Sequence, residues 1–161
     1  MSNTPERPGA TPDFAAYAAL DRQRAETAEA IRPANKATLF DALARIGVAR
    51  VTVTFDGSCD DGQIESVDAF GAEDTTVSLA ATGECVPIRR ALWDGSAAQT
   101  QELTVAEAIE ALAYDLLEET HGGWENDDGG YGEFTFDVAA RTITLEYNER
   151  VVQTEYHEHE F

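Results

Sequence analysis

Apolar and polar residues alternate with a period of two in three parts of this 161-residue chain. Val51, Val53 and Phe55 are separated by Thr52 and Thr54; Phe134, Phe136 and Val138 by Thr135 and Asp137; Ile143, Leu145 and Tyr147 by Thr144 and Glu146. A strand turns successive side chains to opposite faces, so each segment buries one face and wets the other. Antiparallel sheets commonly adopt that arrangement, with one side packed and one solvated. Weaker alternation marks strands at residues 64–70 and 76–79. After a tight turn at Asn148 and Glu149, Val152, Thr154 and Tyr156 continue the pattern as a further strand.

Helical spacing fills most of the remainder. Residues 1–11 are rich in Pro, Ser and Thr and are expected to be disordered. Residues 12–33 read as a peripheral helix. Its stripe of Phe14, Ala15, Ala18, Ala19, Ala25 and Ala28 buries little area, and Pro33 should end or kink it. A second helix, residues 34–46, gathers Leu39, Phe40, Leu43 and Ile46 on one face, with Gly47 placed to stop it. Thr104 and Glu107 form a capping box at the start of the clearest helix. Val105, Ile109, Leu112 and Leu116 make its buried stripe, and Gly122-Gly123 its exit. Residues 81–103, with Pro87, Arg89-Arg90, Trp93 and Asp94-Gly95, read as a loop over one edge of the core. The expected fold is α+β: an antiparallel β-meander sheet with two to three helices packed on one face, residues 34–161 forming a single domain.

Charge narrows the partners. Residues 1–48 carry six acids and six bases, whereas residues 49–161 carry 25 acids against five arginines and no lysine. The net charge of −20 therefore sits on the second part. Such a surface repels nucleic acid and anionic membrane and attracts cations and basic proteins. No apolar run reaches the roughly 18 residues of a membrane span, and the N-terminus lacks the pattern of a signal peptide. Two cysteines in no CxxC spacing, Cys59 and Cys85, fit free thiols in a reducing cytoplasm.

Two acidic glycine loops stand out. Asp-Gly-Ser-Cys-Asp-Asp-Gly occupies residues 56–62, and Gly-Gly-Trp-Glu-Asn-Asp-Asp-Gly-Gly-Tyr-Gly-Glu occupies residues 122–133. Oxygen ligands on a freely turning backbone suit a hard divalent cation, Ca²⁺ or Mg²⁺. Asp56, Asp60, Asp61, Asp127 and Asp128 are the candidate ligands, with Glu125 beside them. The EF-hand pattern fails: with Gly130 at position six, position five is Gly129 and position twelve is Phe136. Asp, Asn and Gly are equally expected in plain strand connections, for backbone reasons. Trp124 is either a lid over the core or an exposed anchor for a partner. As a binding surface the second loop would present Trp124, Glu125, Asp127, Asp128, Tyr131 and Glu133.

Catalytic signals are weak. His157 and His159 would share a face of a strand but lie among Glu155, Glu158 and Glu160 at the end of the chain. His121 closes a helix, where the dipole accounts for a basic residue. Ser58, Cys59 and Cys85 lie in no nucleophile motif, and there is no phosphate-binding glycine loop.

The segments Phe55-Asp-Gly-Ser-Cys-Asp-Asp-Gly-Gln-Ile-Glu65 and Trp124-Glu-Asn-Asp-Asp-Gly-Gly-Tyr-Gly-Glu-Phe134 resemble the motifs of a bacterial family known only as a domain of unknown function, often carried on plasmids and mobile elements. The likeness covers about residues 36–161. It implies a cytosolic single domain in which both loops matter, with glycine usual where this chain has Cys59, and it transfers no activity. The function expected from the residues is a non-enzymatic acidic interaction module. It would occupy a basic surface, such as that of a nucleic-acid-binding protein, with Glu133, Asp137, Glu146 and Glu155 on the wet side of the sheet acting as a nucleic-acid mimic. The alternative is a divalent-cation protein or metal-dependent hydrolase built on the two loops.

Overall fold

A computed structural model describes residues 13–92 and 98–161. The segment expected to be disordered, 1–11, and Trp93, Asp94 and Gly95 lie outside those residues. The chain runs α1 (Phe14–Arg45), β1 (Arg50–Ser58), β2 (Asp61–Phe70), β3 (Thr76–Val77), α2 (Leu79–Thr82), β4 (Cys85–Arg90), β5 (Gln99–Thr104), α3 (Val105–His121), β6 (Gly130–Asp137) and β7 (Thr142–Glu149). The fold is α+β. Five strands form an antiparallel sheet in the order β3-β2-β1-β6-β7, and β4 and β5 form a separate two-stranded sheet. The hairpins β1–β2 and β6–β7 meet at the sheet's centre through β1 and β6, which are far apart in sequence.

Alternation decides which face is buried. Val51, Val53 and Phe55 on β1 and Phe134 and Phe136 on β6 are buried, and they pack with Leu39, Phe40 and Leu43 of α1 and Ile109, Leu112 and Leu117 of α3. Between them on β1, Thr52, Thr54 and Asp56 are half-exposed. The helices thus cover one face of the sheet, and the other stays wet. On α3 the capping box forms as expected: the Glu107 amide donates to Thr104 Oγ1 at 3.2 Å, and the Thr104 amide to the Glu107 carboxylate at 2.9 Å. The buried stripe runs through Ala108, Ala113 and Leu117, with Leu116 only partly covered.

Three expectations are corrected. Pro33 neither ends the first helix nor separates it from the second, because α1 is one helix of 32 residues with Pro33 inside it. Proline removes one backbone donor there, but contacts on both sides hold the helix. Ile31 is buried, and Arg32 pairs with Asp115 at 3.0 Å and Glu119 at 2.7 Å. Two residues past the proline, Asn35 exchanges two hydrogen bonds with the Arg89 backbone. Secondly, residues 81–103 contain the β4–β5 hairpin, whose Val86 and Ile88 join the core. The Pro and the Arg pair concealed a short alternation, with Cys85, Pro87 and Arg89 facing water. Thirdly, the expected strand at Val152, Thr154 and Tyr156 is absent. Residues 150–161 have no regular structure, and Val151, Val152 and Tyr156 are 75–80% exposed.

Before Ile31, α1 has no buried residue among those described. Phe14 and Tyr17 remain 76% and 64% exposed. Removing residues 1–29 should therefore leave cooperative unfolding intact. Thermal denaturation should show a midpoint lowered by no more than about 2–4 °C, the shift of roughly 1 kcal/mol in a domain of this size.

Candidate functional site

The β1–β2 connection is a two-residue turn: Gly57 pairs with Gly62 and Ser58 with Asp61, leaving Cys59 and Asp60 at the tip. Both tip residues have positive φ, 55° and 62°. This left-handed pair matches the twist of a hairpin but favours Asn or Gly at both places. Cys59 is the less suited of the two, since a Cβ in this region costs roughly 1–2 kcal/mol. What holds the turn is its use. The Cys59 amide donates to the Asp127 carbonyl at 2.8 Å, and the Asp60 amide to the Glu125 carbonyl at 2.9 Å. The two acidic loops are therefore one unit at one end of the sheet, joined backbone to backbone. Cys59→Gly should keep those bonds and relieve the tip. Its expected result is a midpoint raised by about 2–4 °C, corresponding to a gain of roughly 1 kcal/mol.

Trp124 lies under the junction. Its ring meets Phe55 edge-on, with centroids 5.6 Å apart, and lies 6.5 Å from Tyr114. The space for it exists because residues 57 and 62 have no side chain: a Cβ at either would sit 2.6 Å from the indole. At 7% exposure Trp124 is a lid over the core, and its ring is not offered to a partner. Tyr114 braces the opposite side, accepting a hydrogen bond from the Ile64 amide at 3.0 Å.

Arg150 closes the corner from the third side. Its guanidinium grips both oxygens of Asp56 (2.9 and 3.0 Å), donates to the Gly57 carbonyl at 3.0 Å and stacks 4.7 Å from the centre of the Tyr131 ring. Its amide donates to the Gly129 carbonyl, extending the β6–β7 ladder beyond Glu149. The sequence offered one clue to this role: Arg150 is one of only five bases after residue 48. Alternation places Tyr147 on the core side of β7 but carries no sign of its part at this corner. The Tyr147 ring is stacked between Phe55 and His121, the imidazole lying 3.7 Å away and nearly parallel. Burial, reinforced by the charges of Glu149 and Glu125, raises its phenol above the usual 10.0. The phenol thus stays neutral at physiological pH. Its contribution to stability is complete below pH 10.0 and is lost as pH rises through the elevated value.

The candidate ligands fall in different roles. Asp56 is committed to Arg150. Asp60, Asp61, Asp127 and Asp128 are exposed at the corner. One oxygen of Glu125 is buried without a hydrogen-bond partner. Among the described residues no group of three or more His, Cys, Asp or Glu side chains is placed to hold a metal ion. An open cleft of about 440 Å³ borders the second loop, lined by Asn126, Asp127, Asp128, Tyr147, Glu149 and Arg150. It contains no nucleophile paired with a base.

The wet face of the sheet is the other acidic feature. Register places Ser66, Thr54, Glu133 and Glu146 in one row across β2, β1, β6 and β7, and Asp68, Thr52, Thr135 and Thr144 in the next. Asp137 follows beside Arg50. Glu133 and Glu146 are direct cross-strand neighbours, an arrangement that like charges make unfavourable. Arg50 is engaged by Asp74 at 3.1 Å and by the Phe70 ring. Glu155, expected here, lies in the tail and is not part of the sheet.

A family model matches residues 31–161, most of the chain. The chain belongs to DUF6878, a family of unknown function. The match begins at Ile31, the first buried residue of α1, so the exposed start of that helix lies outside the family's domain. Neither the curated proteins nor the solved structures compared with the chain include a match. No helix among the described residues is long and apolar enough to cross a membrane.

Proposed function

We propose that this domain is a non-enzymatic acidic interaction module that presents the uncovered face of its sheet to a basic protein surface, in the manner of a nucleic-acid mimic. The observation that carries this reading is the row of Glu133 beside Glu146 on an uncovered face, flanked by Asp68 and Asp137. Opposed carboxylates cost stability in the free protein, and a cationic surface laid across them would remove that cost. Short hydroxyl side chains at Thr52, Thr54, Thr135 and Thr144 leave the face low and level, which suits a broad contact. The excess of 25 acids over five arginines in residues 49–161 argues against direct contact with nucleic acid or anionic membrane. A cytoplasmic setting belongs to the same proposal, since Cys59 and Cys85 are both free and exposed.

The test compares two variants of equal charge. One neutralises the face (Asp68→Asn, Glu133→Gln, Asp137→Asn, Glu146→Gln). The other neutralises four exposed acids elsewhere (Glu73→Gln, Glu102→Gln, Glu110→Gln, Glu118→Gln). Retention of basic nucleic-acid-binding proteins on the immobilised domain should be lost with the face variant and kept with the other. Equal loss in both would reduce the charge to a solubility device. Because no three carboxylates among the described residues are placed to hold a cation, salt should stabilise the fold by screening alone, over a Debye length of roughly 10 Å at 0.1 M. Thermal midpoints should therefore rise equally in NaCl and in MgCl₂ at matched ionic strength. A larger rise with Mg²⁺ would favour the divalent-cation alternative over the module.

A further inference from the structure

The sheet ends on β7, and the outer edge of β7 is unpaired among the described residues. An open edge of eight residues is a template for another strand. Its core-side residues Ile143, Leu145 and Tyr147 are only half-covered, so the hydrophobic layer also stops short there. The same chain carries a segment with the pattern of the missing strand. Val152, Thr154 and Tyr156 alternate with Gln153, Glu155 and His157, and the valines and tyrosine lie in water.

That segment cannot readily serve its own edge. To fold back on β7 it would need a tight turn at about residues 150–151, with positive φ at the turn centre. No residue from Glu149 to Val152 has positive φ. Val151 and Val152 are β-branched and poorly suited to it. Arg150 is held the other way, with its amide on Gly129 and its guanidinium on Asp56 and Gly57. Regular pairing thereby ends at Glu149, and residues 150–161 have no regular structure. Within residues 151–161, Tyr156 meets Glu158, His157 meets Glu155 and His159 meets Phe161.

We propose that two copies of this chain exchange these tails, residues 151–158 of each adding a sixth strand along β7 of the other. The contact is isologous, so a two-fold axis closes it and the exchange stops at two copies. Val152, Thr154 and Tyr156 then extend the apolar layer over Ile143, Leu145 and Tyr147, while the backbone ladder supplies pairing independent of side chains. Each copy carries a charge of −20, so repulsion opposes the exchange at low salt and screening permits it.

Sedimentation velocity on the full chain, from low-micromolar to sub-millimolar concentration at low and high NaCl, tests this. A dimer should form with rising concentration and more readily at high salt. Thr154→Pro removes a ladder donor, and the pair Val152→Asp with Tyr156→Asp removes the apolar contacts. Each should weaken dimerisation at least about tenfold and leave the thermal midpoint of the dilute monomer unchanged. Hydrogen exchange should protect the amides of residues 152–158 only in the dimer. The proposal is overturned by a monomer at every concentration, by a dimer indifferent to both variants, or by tail protection already present in the dilute monomer, which would assign β7 to the chain's own tail.

Discussion

Gly129→Ala is expected to be among the most damaging single changes available to this domain, lowering stability by at least about 3 kcal/mol. Two penalties combine. Residue 129 has φ of +72°, where a side chain is strained, and an added Cβ would overlap the carbonyl oxygen of Gly57. That carbonyl is backbone and is itself held by Arg150, so it cannot give way as a flexible side chain would. Gly83→Ala provides the internal control. Its φ is +60°, but nothing lies within 4 Å of its Cβ, so only the strain applies, roughly 1–2 kcal/mol. Urea denaturation of both variants separates the terms. A Gly129 variant no worse than the Gly83 variant would mean that the two loops do not pack as described.

Trp124→Ala is expected to cost about 3–5 kcal/mol, the usual range for removing a buried aromatic side chain. The cavity would open between Phe55, Tyr114 and the two glycines that make room for the indole, beneath the backbone bonds joining Cys59 and Asp60 to the second loop. Hydrogen exchange should show those two amides losing protection while the centre of β1 keeps its own. Trp124→Phe should lose less, because part of the aromatic contact remains. If Trp124→Ala left stability unchanged and altered only partner binding, the residue would be an anchor and not a lid.

Much of this fold was legible because its signals are local. Strict alternation on β1, β6 and β7, and the capping box on α3, are consequences of neighbouring residues, and each element appears where they place it. What misled were residues whose local preference was overridden from a distance. Pro33 reads as a boundary, but Arg32 and Asn35 reach residues 83 and 54 positions away and carry the helix across it. Val152, Thr154 and Tyr156 read as a strand, yet the chain at Arg150 is tied to Asp56, 94 positions earlier, and leaves the sheet. In the site, the glycines and acids marked both loops. The convergence of the loops was arguable from the close approach that clustered glycines permit. The parts played by Arg150 and Tyr147 depend on which strands meet at the sheet's centre, a long-range fact that no local spacing encodes.

The central claim is that recognition resides on the uncovered acidic face of the sheet. Amide chemical-shift mapping with a short arginine-rich peptide tests it most directly. Titration at moderate salt should move the resonances of Thr54, Glu133, Thr135 and Glu146 first and most, leave the exposed acids Glu110 and Glu118 of α3 largely unmoved, and disappear with the Glu133→Gln, Glu146→Gln pair. Equal shifts on the sheet face and on α3, or shifts unaffected by that pair, would contradict the claim.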